Sequence, residues 1–185
     1  MSRFVFSSTP ISGVYMIESK PIKDSRGYYE RYFCIEEFKE IGLKKPILQI
    51  NHSKTFIKGC IRGFHYQNHP FVEVKIIRCL KGAIYDVAVD LRKDSPTFLK
   101  HFAVELNEYN NKYLYIPEGC GHAFQSLTVE SELLYSVTEF YHPESEGSLN
   151  PLDKTIGVSW PLIPAGLSDK DLNAPCVDYF KGLEV

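Results

Sequence analysis

The sequence predicts an all-β jelly roll formed by the whole 185-residue chain, and three observations predict it. Between residues 14 and 141, short runs rich in β-branched and aromatic residues recur, separated by turn residues about every 8–12 positions, the rhythm of a sandwich or barrel. Only 35–41 (Ile-Glu-Glu-Phe-Lys-Glu-Ile) has convincing helical spacing. The length suits one domain, since cores begin to split only beyond roughly 200 residues.

Taken in order, strands are expected over 14–18, 47–52, 60–65, 72–79, 82–92, 102–106, 113–116, 123–127 and 133–141, enough to close or nearly close a jelly roll. Within 82–92, alternation puts Ile84, Asp86, Ala88 and Asp90 on one face and Tyr85, Val87, Val89 and Leu91 on the other, so two carboxylates share a side. A second short helix is expected to begin at a serine cap in Ser168-Asp-Lys-Asp-Leu. The stretch 143–154 (PESEGSLNPLDK) is the most loop-like, and no repeat or low-complexity tract interrupts the chain. From 160 to 185 prolines punctuate what reads as an extended tail laid over the core of 14–141, giving a single domain over 1–185.

Composition narrows the function classes. A net charge of −2 offers no cationic field for nucleic acid or an anionic membrane, so an anionic small molecule would need a local cluster of bases. No apolar run reaches the roughly 18 residues of a membrane span and the N-terminus lacks a signal-peptide core, so a cytoplasmic protein is expected. Five cysteines (Cys34, Cys60, Cys79, Cys120, Cys176) without a CxxC pair predict free thiols instead of a disulfide frame or a zinc knuckle.

Three segments concentrate polar residues unlike those of a plain sandwich: Gln49-Ile-Asn51, Arg62-Gly-Phe-His-Tyr-Gln67 and Pro117-Glu-Gly-Cys-Gly-His122. Alternation places Gln49 with Asn51, and Arg62 with Phe64, on common sides. Polar groups facing a β-interior cost free energy unless paired, so their concentration points to a ligand cavity. His65 has the side chain suited to proton transfer near neutral pH, with Arg62, Lys75 and His122 expected nearby. Metal-binding cupin domains use a His-x-His pair and a later Glu. This chain has only His65, His69 and Glu73 in that order, and no metal site is expected. No GxGxxG or Walker loop occurs, which removes the dinucleotide-fold and P-loop readings.

At these residues the sequence resembles the dTDP-4-dehydrorhamnose 3,5-epimerase family. The resemblance runs over Asp24-Ser-Arg-Gly27, Gln49-Ile-Asn-His-Ser53, Ile61-Arg-Gly-Phe-His-Tyr-Gln67, Asp86-Val-Ala-Val-Asp-Leu-Arg92 with Ser95-Pro-Thr-Phe98, Tyr115-Ile-Pro-Glu-Gly119, Ile156-Gly-Val-Ser-Trp-Pro161 and Leu167-Ser-Asp-Lys-Asp171. It implies a homodimeric cupin-type jelly roll, a nucleotide diphospho-4-keto-6-deoxyhexose as substrate, and a reaction needing neither metal nor organic cofactor. By this resemblance His65 matches the general base, Asp171 the carboxylate behind it, Lys75 the cation that meets an enolate oxygen, and Tyr135 the opposite-face acid. Arg26, Arg62 and Lys170 would hold the diphosphate, while Gln49, Asn51 and His122 would line the sugar and nucleotide pocket.

The chain departs from the family pattern five positions after Arg26, where a glutamate is usual and Arg31 stands, with Glu30 one place earlier. Alternation sends neighbours to opposite faces, so Glu30 is not expected to substitute. Rival readings are a single-centre epimerase, a CDP- or GDP-sugar epimerase, a cupin sugar ketoisomerase, and a non-catalytic sugar-binding jelly roll. The combination of His65, Lys75, Tyr135 and Asp171 favours epimerisation.

Overall fold

A computed structural model describes residues 2–185. The strands are β1 (Phe4–Ser8), β2 (Tyr15–Ser19), β3 (Ile22–Asp24), β4 (Gly27–Tyr29), β5 (Gln49–Thr55), β6 (Ile61–Gln67), β7 (Lys75–Lys81), β8 (Ala83–Asp90), β9 (His101–Asn107), β10 (Lys112–Ile116), β11 (Cys120–Ser126), β12 (Ser131–Val137) and β13 (Glu146–Ser148). Two antiparallel sheets face each other: a six-stranded sheet in the order β1-β2-β10-β7-β12-β5 and a five-stranded sheet in the order β13-β6-β11-β8-β9. This is the expected jelly roll. The strands β3 and β4 form a separate hairpin outside both sheets.

Alternation along each strand divides the apolar residues into three layers. Ile77, Leu114 and Leu133 of the first sheet meet Ile84, Ala88 and Leu106 of the second between the sheets. On the outer side of the first sheet, Ile76, Tyr113 and Tyr115 are covered by Phe38 and Ile41 from α1 (Ile35–Phe38) and the 3-10 turn that follows it. On the outer side of the second, Val87, Val89 and Leu91 lie under Leu149, Ile156, Val177 and Leu183. The C-terminal segment therefore supplies a third layer. It is tied down by single bridges from Cys60 to Ala165 and from Arg92 to Leu183.

Several expected boundaries shift. The strand expected over 72–79 begins at Lys75, and the one expected over 133–141 stops at Val137, where Thr138 turns its backbone N–H to Val74 and its hydroxyl accepts from the Val74 N–H. The stretch read as loop over 143–154 contains β13, which is a strand by virtue of pairing with β6. The expected serine cap is present: Ser168 Oγ accepts the Asp171 N–H at 3.1 Å and opens α2 (Asp169–Leu172). All five cysteines are free, and no helix is long and apolar enough to cross a membrane among the described residues.

Candidate active site

Where the inter-sheet core gives out, beside Leu133 and Phe124, a cavity of about 480 Å³ opens between the two sheets. Its first wall is the inner face of the six-stranded sheet. Register puts Asn51 beside Tyr135, Gln49 beside Val137, and Val137 beside Lys75. Alternation then turns Gln49, Asn51, Lys75 and Tyr135 to one side, and all four line the cavity.

The opposite wall comes from β6 and β11. His65 pairs directly with His122, but Arg62 pairs with Phe124, so β6 carries one residue more than its partner over this stretch, a β-bulge. Gly63, within the bulge, has φ +113, and a Cβ there would lie 2.4 Å from the His122 carbonyl oxygen, a place that only glycine tolerates. The bulge lets Arg62 and His65 both line the cavity despite their odd spacing. It also overturns the expectation that Arg62 and Phe64 share a side, because Phe64 is fully buried in the outer layer with Val87 and Val89. Alternation holds only along an unbroken pleat.

Each of the two paired histidines has a carboxylate behind it. His65 Nε2 lies 2.7 Å from Asp171 Oδ1, delivered by α2. Burial alone would raise the Asp171 pKa, but the His65 contact, the Ser168 cap and the Gly63 backbone together hold it below its ordinary value. With Nε2 turned to Asp171, Nδ1 is the nitrogen left to take a proton. His122 Nε2 lies 2.7 Å from Asp86 Oδ1, and Asp86 is wholly buried. Asp86 and Asp90 do share a face, with different partners: Asp90 accepts from Arg92, Ser95 and Thr97.

Lys75 Nζ is held against the carboxylate of Glu73, and both side chains are almost closed off from solvent. Tyr135 stands on the same wall, its phenol pKa raised by burial and by the charge of Glu73, with Arg62 pulling the other way. Together these groups can perform proton chemistry: a carboxylate-backed imidazole on one sheet, and a phenol and a cation side by side on the other.

Of the remaining expected residues, Lys170 lies just outside, in an adjoining depression with Asp171, and its Nζ is 2.6 Å from Glu146, which does line the cavity. Arg26 does not reach the cavity of its own chain. It sits in the turn between β3 and β4, 88% exposed and paired with Asp24. Glu30 and Arg31 point apart as expected: Glu30 is buried 3.7 Å from Arg78 and accepts from the Tyr113 hydroxyl, while Arg31 is exposed and paired with Glu37. His65, His69 and Glu73 do not converge, and no cluster of three potential metal ligands occurs among the described residues. The sequence reading missed Glu73 as a wall residue, and also Glu146, whose carboxylate lies 3.0 Å from the Tyr141 hydroxyl at the rim. Nothing local marks Glu146, because β13 exists only through its partner strand.

Residues 8–178 match the family model described as dTDP-4-dehydrorhamnose 3,5-epimerase. The chain belongs to the dTDP-4-dehydrorhamnose 3,5-epimerase family. It is 42% identical over 176 residues to the dTDP-4-dehydrorhamnose 3,5-epimerase of Shigella flexneri, covering 93% of this chain and 97% of that one. Among solved structures, a dTDP-6-deoxy-D-glucose-3,5-epimerase from Legionella pneumophila, crystallised with dTDP-4-keto-L-rhamnose, superposes with a TM-score of 0.91. The two are 35% identical, and the match covers 95% of this chain and 94% of that one. A 3'-monoepimerase from Streptomyces bikiniensis, crystallised with dTDP-quinovose, superposes with a TM-score of 0.83 at 37% identity, covering 91% of this chain and 86% of that one. The protein is therefore an epimerase, an isomerase by class, on a cupin-type jelly roll. The binder reading loses its ground.

Proposed function

We propose that the epimerase acts on a dTDP-linked 4-keto-6-deoxyhexose and inverts C3, C5 or both through an enolate, as a homodimer of cytoplasmic chains each acting as one domain. The substrate class is supported by the names and ligands of the relatives. The observation that carries the mechanism is the 2.7 Å pair of His65 with Asp171, on the sheet opposite Tyr135 and Lys75 in one cavity.

The C4 ketone acidifies the neighbouring C–H bonds. His65 takes the proton from C3 or C5, and the electron pair left behind moves into an enolate whose oxygen meets Lys75. Asp171 stabilises the imidazolium. Tyr135, on the other wall, gives its proton to the opposite face of the same carbon, the ketone re-forms, and the centre is inverted. The tyrosinate regains a proton from solvent and the imidazolium releases one, so the enzyme returns to its starting state. Arg62 and Lys170 hold the diphosphate by charge-assisted hydrogen bonds, joined by Arg26 of a second copy, while Gln49, Asn51 and His122 line the sugar and nucleotide pocket.

The test is exchange with solvent. In deuterated water the wild-type enzyme should label each carbon it deprotonates, read by NMR. His65→Asn should lower that exchange at least 10²- to 10⁴-fold, roughly the loss that follows removal of a general base, while nucleotide binding persists. A folded His65→Asn variant that exchanges at close to the wild-type rate removes His65 from the role. Full activity after exhaustive chelation is expected as well, and activity lost to a chelator and restored by one divalent ion would overturn the cofactor-free reading.

A further inference from the structure

The mechanism above leaves two charged wall residues, Glu73 and Glu146, without a role. Glu73 stands two residues before the first residue of β7, between Val72 and Val74, both buried, and its side chain is only 9% exposed. A carboxylate so placed is costly unless paired, and it is out of character in a cavity that must accept an anionic diphosphate. Neutralising Lys75 is not a sufficient reason for it, because a neutral amide could accept from the same ammonium without burying a second charge. The position of Glu73 suggests a more specific task. It contacts Lys75 Nζ directly, and its charge acts on Tyr135, which lies on the neighbouring strand two positions from the residue paired with Lys75.

We propose that Glu73 is a positioning residue for inversion: it holds the Lys75 ammonium at the C4 end of the cavity and keeps the proton on Tyr135 until the enolate takes it. The proposal rests on the roles given above to Lys75 and Tyr135. Burial first, and then the charge of Glu73, disfavour the phenolate, which has no proton to give, while Arg62 favours it. With Glu73 in place the phenol stays protonated. When the enolate forms, its oxygen supplies a second anion for Lys75, and Tyr135 gives up its proton to carbon. The other charged or titratable groups facing this space are Arg62, His65 and Tyr66 from β6, His122 from β11, Tyr141 at the rim, and Glu146 from β13. Of these only Arg62 acts on Tyr135 appreciably, and in the direction opposite to Glu73.

Glu73→Gln separates this from a purely structural role. In free enzyme carrying ring-labelled tyrosine, with the Tyr135 signal assigned by its loss in Tyr135→Phe, the NMR titration midpoint of Tyr135 should fall by about one pH unit. During turnover in deuterated water the alkaline limb of inversion should move to lower pH by the same amount, while exchange at the carbon, which depends on His65 and Lys75 but not on Tyr135, falls less. A Tyr135 midpoint unchanged in E73Q, or exchange and inversion falling together at every pH, overturns the proposal. Should E73Q not fold, Glu73→Asp keeps the charge and withdraws it by one methylene; its midpoint should fall part of the way, and an unchanged midpoint again overturns the idea. The titration needs no substrate, so it can succeed or fail whatever His65→Asn does to exchange, and the two hypotheses fail independently.

Discussion

Under the proposed mechanism, single groups in the cavity have separable duties, because removing a proton and returning one from the other side involve different side chains. Tyr135→Phe leaves His65, Asp171 and Lys75 in place, so deprotonation should continue. With no acid on the second wall, His65 returns the proton it took, and deuterium enters recovered substrate with retained configuration while inverted product falls about 10²-fold or more. Asp171→Asn acts on the base itself: it removes the charge that stabilises the imidazolium, so exchange and inversion should fall together. One NMR time course distinguishes the two profiles, and inversion at the wild-type rate in Tyr135→Phe would move the acid to another group, with Tyr141 at the rim as the first to test. The Asp171 pKa lies below its ordinary value, so its stabilising contact is complete above that value and is lost as pH falls through the depressed one.

At the scale of strands and turns, Asp90 shows how one buried carboxylate organises a connection. It ends β8, accepts from Arg92, Ser95 and Thr97, and is held down to about 2 by those donors against the upward push of burial. A carboxyl depressed from 3.8 to about 2 contributes about 2 kcal/mol of stability, complete above the ordinary value and lost as pH falls from 3.8 towards 2. Asp90→Asn should therefore lower stability by about that amount near neutral pH in urea unfolding, and the gap to wild type should narrow in acid. A gap unchanged in acid would show that the charge is not what the turn relies on. Legibility in sequence follows the same physics. Strands β5 to β12 were readable because both their faces carry a pattern: β8 separates Ile84 and Ala88 from Val87 and Val89 as its alternation demands. Strand β13, Glu-Gly-Ser, has no β-propensity of its own and could not be read. Nor could the bulge at Gly63, since a one-residue excess over β11 is a property of two strands at once. The helix cap at Ser168 was legible because a cap is local.

At the level of assembly, the β3–β4 hairpin is the element on which the proposed dimer turns. All six of its residues are exposed, with Tyr28 and Tyr29 more than 60% exposed, and a lone two-stranded ribbon is marginal in water. Its base is fastened by Glu30, buried against Arg78 and Tyr113, so the ribbon projects from a fixed root. A projecting apolar ribbon with an arginine at its turn fits a symmetric pair in which each copy covers the other's hairpin and receives its Arg26. The family resemblance implies that Arg26 meets a diphosphate, but no reading of one chain could say whose diphosphate. Arg26→Ala should raise KM about ten- to a hundredfold, the weight of a charge-assisted contact to phosphate, with a smaller effect on kcat. Mixing decides the geometry. When Arg26→Ala and His65→Asn chains are unfolded together and refolded at equal amounts, about half of the dimers are mixed, and one site in each combines an intact His65 with the partner's intact Arg26. At substrate levels where neither variant alone turns over appreciably, the mixture should recover about a quarter of wild-type activity. If Arg26 serves its own chain, every site in the mixture lacks one group or the other and nothing is recovered; that result, or a monomer by sedimentation, would sink the shared-site reading.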